Sequence, residues 1–222
     1  MRALLTSKWT KFAVFVICLI PLGALLWRAF HSGLGANPVE FIQLTTGRWT
    51  LRFLVFTLSI TPFRKLLHLP DLIRFRRLLG LFAFSYLTLH FLTYLLLDQS
   101  FDFVAISKDI AKRPFITVGF LGFLLLLPMA VTSTAGWIRR LGGKRWQMIH
   151  RGIYFAAICG VIHYYWKVKS DTRMPLFYGA LVAILLLWRL GDWFFKRRSP
   201  AGAKLSGQRA PANPSELTRF PS

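Results

Sequence analysis

The sequence has 222 residues, of which 55% are hydrophobic, and a mean hydropathy of +0.47. So large an apolar fraction excludes an ordinary soluble domain, because too little polar surface would remain to face water. The formal net charge of +21 would suggest nucleic-acid binding in a soluble protein. Here the basic residues flank apolar segments, so we expect them to set membrane orientation and contact lipid, and we expect no nucleic-acid partner.

Six segments are long and apolar enough to cross a membrane, which takes about 20 residues. They lie near residues 12–30, 50–67, 78–97, 115–134, 147–166 and 175–195. The first is too long for the apolar region of a cleaved signal peptide and lacks a clear cleavage site, so we expect it to be retained. The predicted fold is therefore all-α, a polytopic membrane bundle of about six helices within residues 1–198.

The loop charges predict the orientation of this bundle. Lys and Arg are concentrated after the second, fourth and sixth segments, whereas the other connections carry mixed charges. Because basic loops stay in the cytoplasm, we expect both termini to be cytoplasmic. Residues 199–222 are rich in Pro, Ala, Gly and Ser and predict a disordered cytoplasmic tail. Cys18 and Cys159 form no CxxC motif and indicate neither a disulfide framework nor a zinc site.

Three of the five histidines, His90, His150 and His163, fall within predicted spans. Counting about 1.5 Å of rise per residue places His90 roughly 12 Å and His163 roughly 6 to 9 Å from the outer face. Two imidazoles at similar depth on separate helices are what a six-coordinate haem b requires, with both axial positions filled for electron transfer. The alternative is that each histidine is a hydrogen-bonded packing residue, whereas His31 and His68 lie in predicted loops.

A haem also needs an apolar slot, whose walls nearby glycines and aromatic residues could form. The glycines could equally serve helix packing. These residues are Gly80, Gly152, Gly160, Phe84, Tyr86, Tyr94, Phe155, Tyr164 and Trp166.

Several motifs around these histidines resemble the ferric-reductase-like transmembrane superfamily. They are Arg76-Arg77-Leu78-Leu79-Gly80-Leu81, His90, Thr132-Ser133, the run from Trp146 to Tyr154, and His163. Within that superfamily the chain is most similar to the MsrQ (YedZ) family of haem-binding membrane subunits, over about residues 8 to 198. His150, followed by Arg151 and Tyr154 and then by His163 after 13 positions, is the most specific element.

The resemblance implies an electron-transfer subunit of the bacterial inner membrane. Such a subunit takes electrons from the quinone pool and passes them through haem b to a periplasmic molybdopterin methionine-sulfoxide reductase, which repairs oxidised envelope proteins. The membrane subunit and the periplasmic reductase are expected to form a heterodimer. Terminal catalysis then occurs in the reductase, and we expect no catalytic residue in this chain. The family is also described as binding FMN. By this resemblance His90, His150 and His163 match haem-ligand positions.

Two departures from the wider superfamily bear on this expectation. Related reductases carry a second histidine on the third span, where this sequence has Arg76 and Arg77. His150 therefore lacks a histidine partner. A second haem, with His150 as its only clear ligand, is left as an open alternative. No strand-anchored GxGxxG is present, so we expect electrons from quinol or a separate flavin reductase. A stand-alone ferric or metal reductase, and a non-redox transporter or haem-delivery component, remain alternative functions.

Overall fold

The computed structural model describes residues 6–31, 33–168 and 170–198, so the predicted tail at 199–222 lies outside the described residues. The described residues are helical and contain no strand. The α-helices are α1 (Lys8–His31), α2 (Pro38–Leu66), α3 (Ile73–Thr93), α4 (Phe103–Lys112), α5 (Pro114–Val131), α6 (Ala135–His150), α7 (Gly152–Lys167) and α8 (Arg173–Arg198). A 3₁₀ turn, Pro70–Leu72, precedes α3, and a π-helical turn, Tyr94–Asp98, follows it.

Local sequence signals explain where several helices begin. The Asn37 side chain accepts a hydrogen bond from the Glu40 backbone N–H, and Pro38 occupies the first turn of α2, where a missing N–H costs nothing. Asp102 caps α4 by accepting from the N–H groups of Val104 and Ala105. Pro114 opens α5 in the same way as Pro38 opens α2.

The chain divides into two compact units, residues 1–185 and 186–222, and the second begins within α8. In the first unit α2 packs along α3, and α5 packs along α7. Leu58 and Ala83 are buried where the first pair meets, and Ala156 and Ala157 are buried on α7. Small residues on α7 let neighbouring helices approach closely, as is common in membrane bundles.

Tyr86 of α3 hydrogen-bonds the backbone of α1. The Tyr86 hydroxyl donates to the Cys18 carbonyl and accepts from the Leu22 N–H, the two groups that would otherwise bond each other in a regular helix. Pro21 lies between them and disturbs the hydrogen-bond ladder of α1. Tyr86 therefore satisfies the backbone at this point and is itself fully buried.

The prediction of an all-α membrane bundle is confirmed, and a helix lies at each of the six predicted spans. By length and composition, four of the described helical segments suit a membrane crossing: Lys8–His31, Pro70–Asp98, Pro114–Val131 and Arg173–Phe195. The other two helices at predicted spans are α2 and α7. Helix α2 carries Arg48 and Arg52 in its interior, and α7 has only 16 residues.

The structure differs from the predicted boundaries in two places. Helix α2 starts at Pro38, twelve residues before the predicted span, and α4 fills most of the predicted connection at 98–114. The predicted fifth span, 147–166, is divided at Arg151, so His150 ends α6 while His163 belongs to α7. Within α6 the backbone is kinked at Gly142, whose φ of 71° lies in the left-handed region that favours glycine.

Candidate haem site

A cavity of about 390 Å³ lies between α2, α3, α5 and α7, and α4 lies across one end of it. Its volume falls in the range typical of small-molecule and cofactor sites. The walls are mostly apolar, and they include Leu51, Leu54, Leu87, Phe91, Phe123, Leu126 and Ala156. His90 and His163 both line this cavity, His90 from α3 and His163 from α7.

The His90 ring is held by α2. Its Nδ1 lies 3.0 Å from the Gln43 carbonyl oxygen. Because a carbonyl can only accept, Nδ1 must carry the proton, and Nε2 is left with its lone pair free for a metal. Gly47, one turn further along α2, makes room for the ring: a Cβ at this position would lie 3.1 Å from His90 Cε1 and 3.2 Å from its Nδ1.

The His163 ring is held in the same way by α5. Its Nδ1 lies 2.7 Å from the Phe115 carbonyl oxygen, which again fixes the proton on Nδ1 and the lone pair on Nε2. Gly119, one turn beyond Phe115, is packed against this ring. A Cβ on Gly119 would lie only 2.6 Å from His163 Nδ1 and 2.9 Å from Cε1, closer than real Cβ contacts allow.

The two rings have the separation expected of two axial ligands to one metal ion. Their centroids are 5.9 Å apart and their planes make an angle of 84°. A metal–imidazole bond is about 2 Å long, so two imidazoles on opposite sides of one ion have ring centres on the order of 6 Å apart. The backbone carbonyls act as outer partners that fix each ring's tautomer and orientation, as is usual for histidines that bind metals.

The residues of this cavity fit haem b better than a bare metal ion. In the described part of the chain, no group of three or more His, Cys, Asp or Glu side chains is placed to bind a metal. Two histidines alone would leave most positions of an isolated iron unfilled, whereas a porphyrin supplies four nitrogens and needs only two axial ligands. Apolar walls suit the faces of a porphyrin. When bound between the two histidines, haem would supply one-electron reduction and oxidation.

Sequence reasoning identified only part of the cavity wall. Of the glycines and aromatic residues expected beside the haem, three line the cavity: Gly160, Tyr94 and Tyr164. The others lie elsewhere: Gly80, Gly152, Phe84, Tyr86, Phe155 and Trp166. Gly152 approaches Met129 and Leu125, and Gly80 approaches Thr57, so both serve helix packing. Phe155 is 64% exposed and lies on an outward face of α7.

Four residues that matter to the histidine geometry were missed: Gln43, Gly47, Phe115 and Gly119. Gln43 and Phe115 act through backbone carbonyls, which leave no trace in residue type. Gly47 and Gly119 are helical glycines, and a helical glycine is a visible signal because it costs up to about 1 kcal/mol relative to alanine. That signal alone does not reveal which neighbouring side chain needs the space.

His150 lies apart from the other two histidines and does not line the cavity. Its Nε2 is 3.2 Å from the Thr132 hydroxyl, whose own hydrogen bonds the Pro128 carbonyl, so Nε2 of His150 is the donor between them. The ring also stacks on Trp146 with centroids 3.9 Å apart. About 17 Å of helical rise separates Gly152, two residues after His150, from His163. The second-haem assignment for His150 therefore stays a prediction.

The chain matches the family model described as "Ferric reductase like transmembrane component" over residues 46–161. The matched region includes His90 and His150 and ends two residues before His163.

Curated relatives extend the similarity across nearly the whole chain. A protein of Herminiimonas arsenicoxydans is 50% identical over 195 residues, which is 87% of this chain and 89% of the relative. A protein of Caulobacter vibrioides is 49% identical over 81% of this chain and 85% of its own length. A protein of Polaromonas naphthalenivorans is 45% identical over 86% of this chain and 91% of its own length. Each is named protein-methionine-sulfoxide reductase heme-binding subunit MsrQ.

Proposed function

The chain belongs to the MsrQ family of haem-binding subunits of protein-methionine-sulfoxide reductase and to the ferric-reductase-like transmembrane proteins, and from this we propose a specific electron path. Electrons pass from the quinone pool through haem b held by His90 and His163 to a periplasmic molybdopterin subunit that reduces methionine sulfoxide. The chain crosses the bacterial inner membrane, and terminal catalysis occurs in the partner of the heterodimer.

The observation that carries this proposal is the paired histidine geometry. Both Nδ1 atoms face backbone carbonyls, so both Nε2 atoms are available as axial ligands, and the ring centroids are 5.9 Å apart. A haem bound by both imidazoles would have no open coordination position for oxygen or substrate, so it would supply one-electron transfer rather than bind a reactant. That property suits a subunit that relays electrons to a separate catalytic chain.

The position of the cavity supports delivery on the periplasmic side. Phe103, Ile106 and Ile110 of α4 line the cavity, so α4 covers its end directly. In the orientation that the loop charges predict, α4 faces the periplasm. Its outer face presents Lys108 and Lys112 beside Asp109, a mixed-charge surface that suits a transient redox contact better than a large apolar interface. FMN is included in the proposal only because the family resemblance implies it, and we assign no binding residues to it.

A reoxidation assay tests the electron path. Membranes containing the protein are reduced through their quinone pool, and the haem absorbance is followed after the purified periplasmic subunit and a methionine-sulfoxide substrate are added together. We expect oxidation of the haem only when both are present. The matched control supplies the subunit with unoxidised methionine and should leave the haem reduced.

A stand-alone metal reductase is the second candidate, favoured by the match to ferric-reductase-like proteins. In the same assay, reoxidation by ferric chelate that is indifferent to the periplasmic subunit would support this candidate and contradict the proposed path.

The orientation is tested separately with reporter fusions. Alkaline phosphatase is active only in the periplasm, so a fusion after Arg198 should be inactive and a fusion at Ser170, in a predicted outer connection, should be active. Phosphatase activity measured in whole cells reports both. The reverse pattern would contradict cytoplasmic termini.

A further inference from the structure

Four of the five charged residues that line the haem cavity lie at one end of it. The five are Glu40, Arg48, Asp98, Arg113 and Lys167. Glu40 is near the start of α2, Asp98 ends the π-helical turn, Arg113 precedes α5, and Lys167 ends α7, so these four lie at the end covered by α4. Arg48 lies further along α2, directly after Gly47, and its side chain runs back toward the same end. Haem b has the same asymmetry, because its two propionate carboxylates project from one edge and the rest of its rim is apolar.

We propose that Gln43, Arg48 and Lys167 bind the haem propionates and so fix the haem with its carboxylate edge toward α4. This inference rests on the proposed haem at His90 and His163 and deepens it by assigning its orientation. In this orientation the apolar rim lies toward Leu54 and Leu126, at the opposite end of the cavity.

Gln43 provides the most direct indication of a missing acceptor. Its side-chain Nε2 is buried, lines the cavity, and has no hydrogen-bond partner among the residues that the structure describes. A buried amide N–H without a partner is costly, and the cost disappears when an acceptor such as a carboxylate arrives. The backbone carbonyl of the same residue orients His90, so the Gln43 side chain begins at the level of this ligand.

Arg48 is directed toward the same end. Its Nε donates to the Leu44 carbonyl, 3.1 Å away and one turn nearer the start of α2, so the side chain runs toward the α4 end. The rest of the guanidinium fork remains available for a carboxylate, which matches its planar geometry. Arg48 also follows Gly47 directly, the residue that accommodates the His90 ring.

Lys167 approaches from the other ligand's helix. It lies four residues after His163 on α7, hence on the same face and one turn closer to the α4 end. Its Nζ is 5.9 Å from the centroid of the Phe115 ring, and the Phe115 carbonyl is the group that orients His163. Arg48 and Lys167 thus flank the two axial ligands from separate helices.

The remaining charged residues at this end are less suited to hold a carboxylate. Arg113 is paired through Nε with the Asp109 carboxylate at 3.3 Å. Glu40 and Asp98 are themselves acidic and would repel a propionate when ionised. Glu40 instead accepts a hydrogen bond from the Asn37 side chain at the start of α2.

The first test measures haem release and reduction potential of the full-length protein in detergent. Lys167→Met and Arg48→Met should each transfer haem to apomyoglobin about tenfold faster than wild type, the scale expected for a lost charge-assisted hydrogen bond. Both should also lower the midpoint potential, because removing a positive charge favours the ferric state. Gln43→Leu should release haem faster with a smaller change in potential, since it removes no charge.

Lys144→Met is the matched control, because it removes the same charge from an exposed position of α6 that does not line the cavity. It should leave haem release and potential at wild-type values. Retention of the two-histidine low-spin spectrum in every variant shows that the bundle is folded and the axial ligands are in place.

Haem dimethyl ester, whose propionates are neutral, provides the decisive comparison. With this probe, wild type and Lys167→Met should release the porphyrin at equal rates, because the group that Lys167 binds is gone. A tenfold difference that persists with the ester, or variants that release natural haem at the wild-type rate, would overturn the propionate assignment. Wild-type protein that binds no haem at all would instead overturn the proposed function.

Discussion

We expect His90→Ala and His163→Ala each to lose the low-spin haem spectrum and at least about 100-fold in haem affinity. Changes to the outer partners of a metal-binding histidine typically cost 10- to 100-fold, so loss of the ligand itself should cost more. Each variant leaves one axial position open, so any haem that remains should become high-spin. The haem-to-protein ratio and the oxidised and reduced spectra of purified protein measure both effects.

His150→Ala is the control for this pair, because His150 contacts Thr132 and Trp146 and does not line the cavity. It should retain the haem held by His90 and His163. If His90→Ala and His163→Ala both kept the wild-type spectrum and haem content, the ligand assignment would be wrong. A loss of half the haem in His150→Ala, with the low-spin signal of the other half intact, would establish the second haem that the family resemblance left open.

The similar depth of His90 and His163 could be predicted because helical rise is a reliable measure within a membrane span, whereas their role as haem ligands stays a prediction. His90 and His163 were placed at similar depth from their distances to Asp98 and to Lys167, and the structure brings their rings together. The angular positions of two helices about their own axes are not accessible in this way. For that reason the contacts of Gly47 and Gly119 with the two rings could not be predicted.

The boundary of α2 was missed for a physical reason that also concerns the site. A hydropathy window rejects residues 38–49 because Glu40, Gln43 and Arg48 are polar. Those residues are helical nevertheless, started by the Asn37 cap and Pro38, and they line the polar end of the cavity. Polar residues inside a membrane helix are expensive and therefore tend to mark a functional site, so the error in the predicted span coincides with the cavity.

The break at Arg151 resolves a difficulty in the predicted fifth span. In one continuous ideal helix, His150 and His163 would point to different sectors, because 13 residues advance the helix by about 1300°. The structure ends α6 at His150 and begins α7 at Gly152, so the two histidines belong to separate helices. Both contact α5, His163 at Phe115 near its start and His150 at Thr132 just past its end. Gly152 is the sequence signal at this break, because glycine has a low helix propensity and often follows the end of a helix.

Gly119→Ala should lower haem affinity by about 10-fold or more, as expected when the outer support of a ligand is disturbed. The added methyl would lie 2.6 Å from His163 Nδ1, so the ring must move. That movement breaks the 2.7 Å hydrogen bond to the Phe115 carbonyl and turns Nε2 away from the iron. Alanine is favoured over glycine in a helix by up to about 1 kcal/mol, which offsets part of the cost of the broken hydrogen bond in the haem-free bundle.

Gly160→Ala is the matched control, since Gly160 also lines the cavity but its added methyl would meet only Leu51 at 3.5 Å, an ordinary contact. It carries the same gain in helix propensity and should keep wild-type haem content. Gly47→Ala, with its closest contact to His90 at 3.1 Å, should fall between the two. Haem titrations and thermal unfolding of the haem-free proteins separate loss of the ligand geometry from loss of the fold. Wild-type haem affinity in Gly119→Ala would show that His163 does not need its present position, and would contradict its role as an axial ligand held by Phe115.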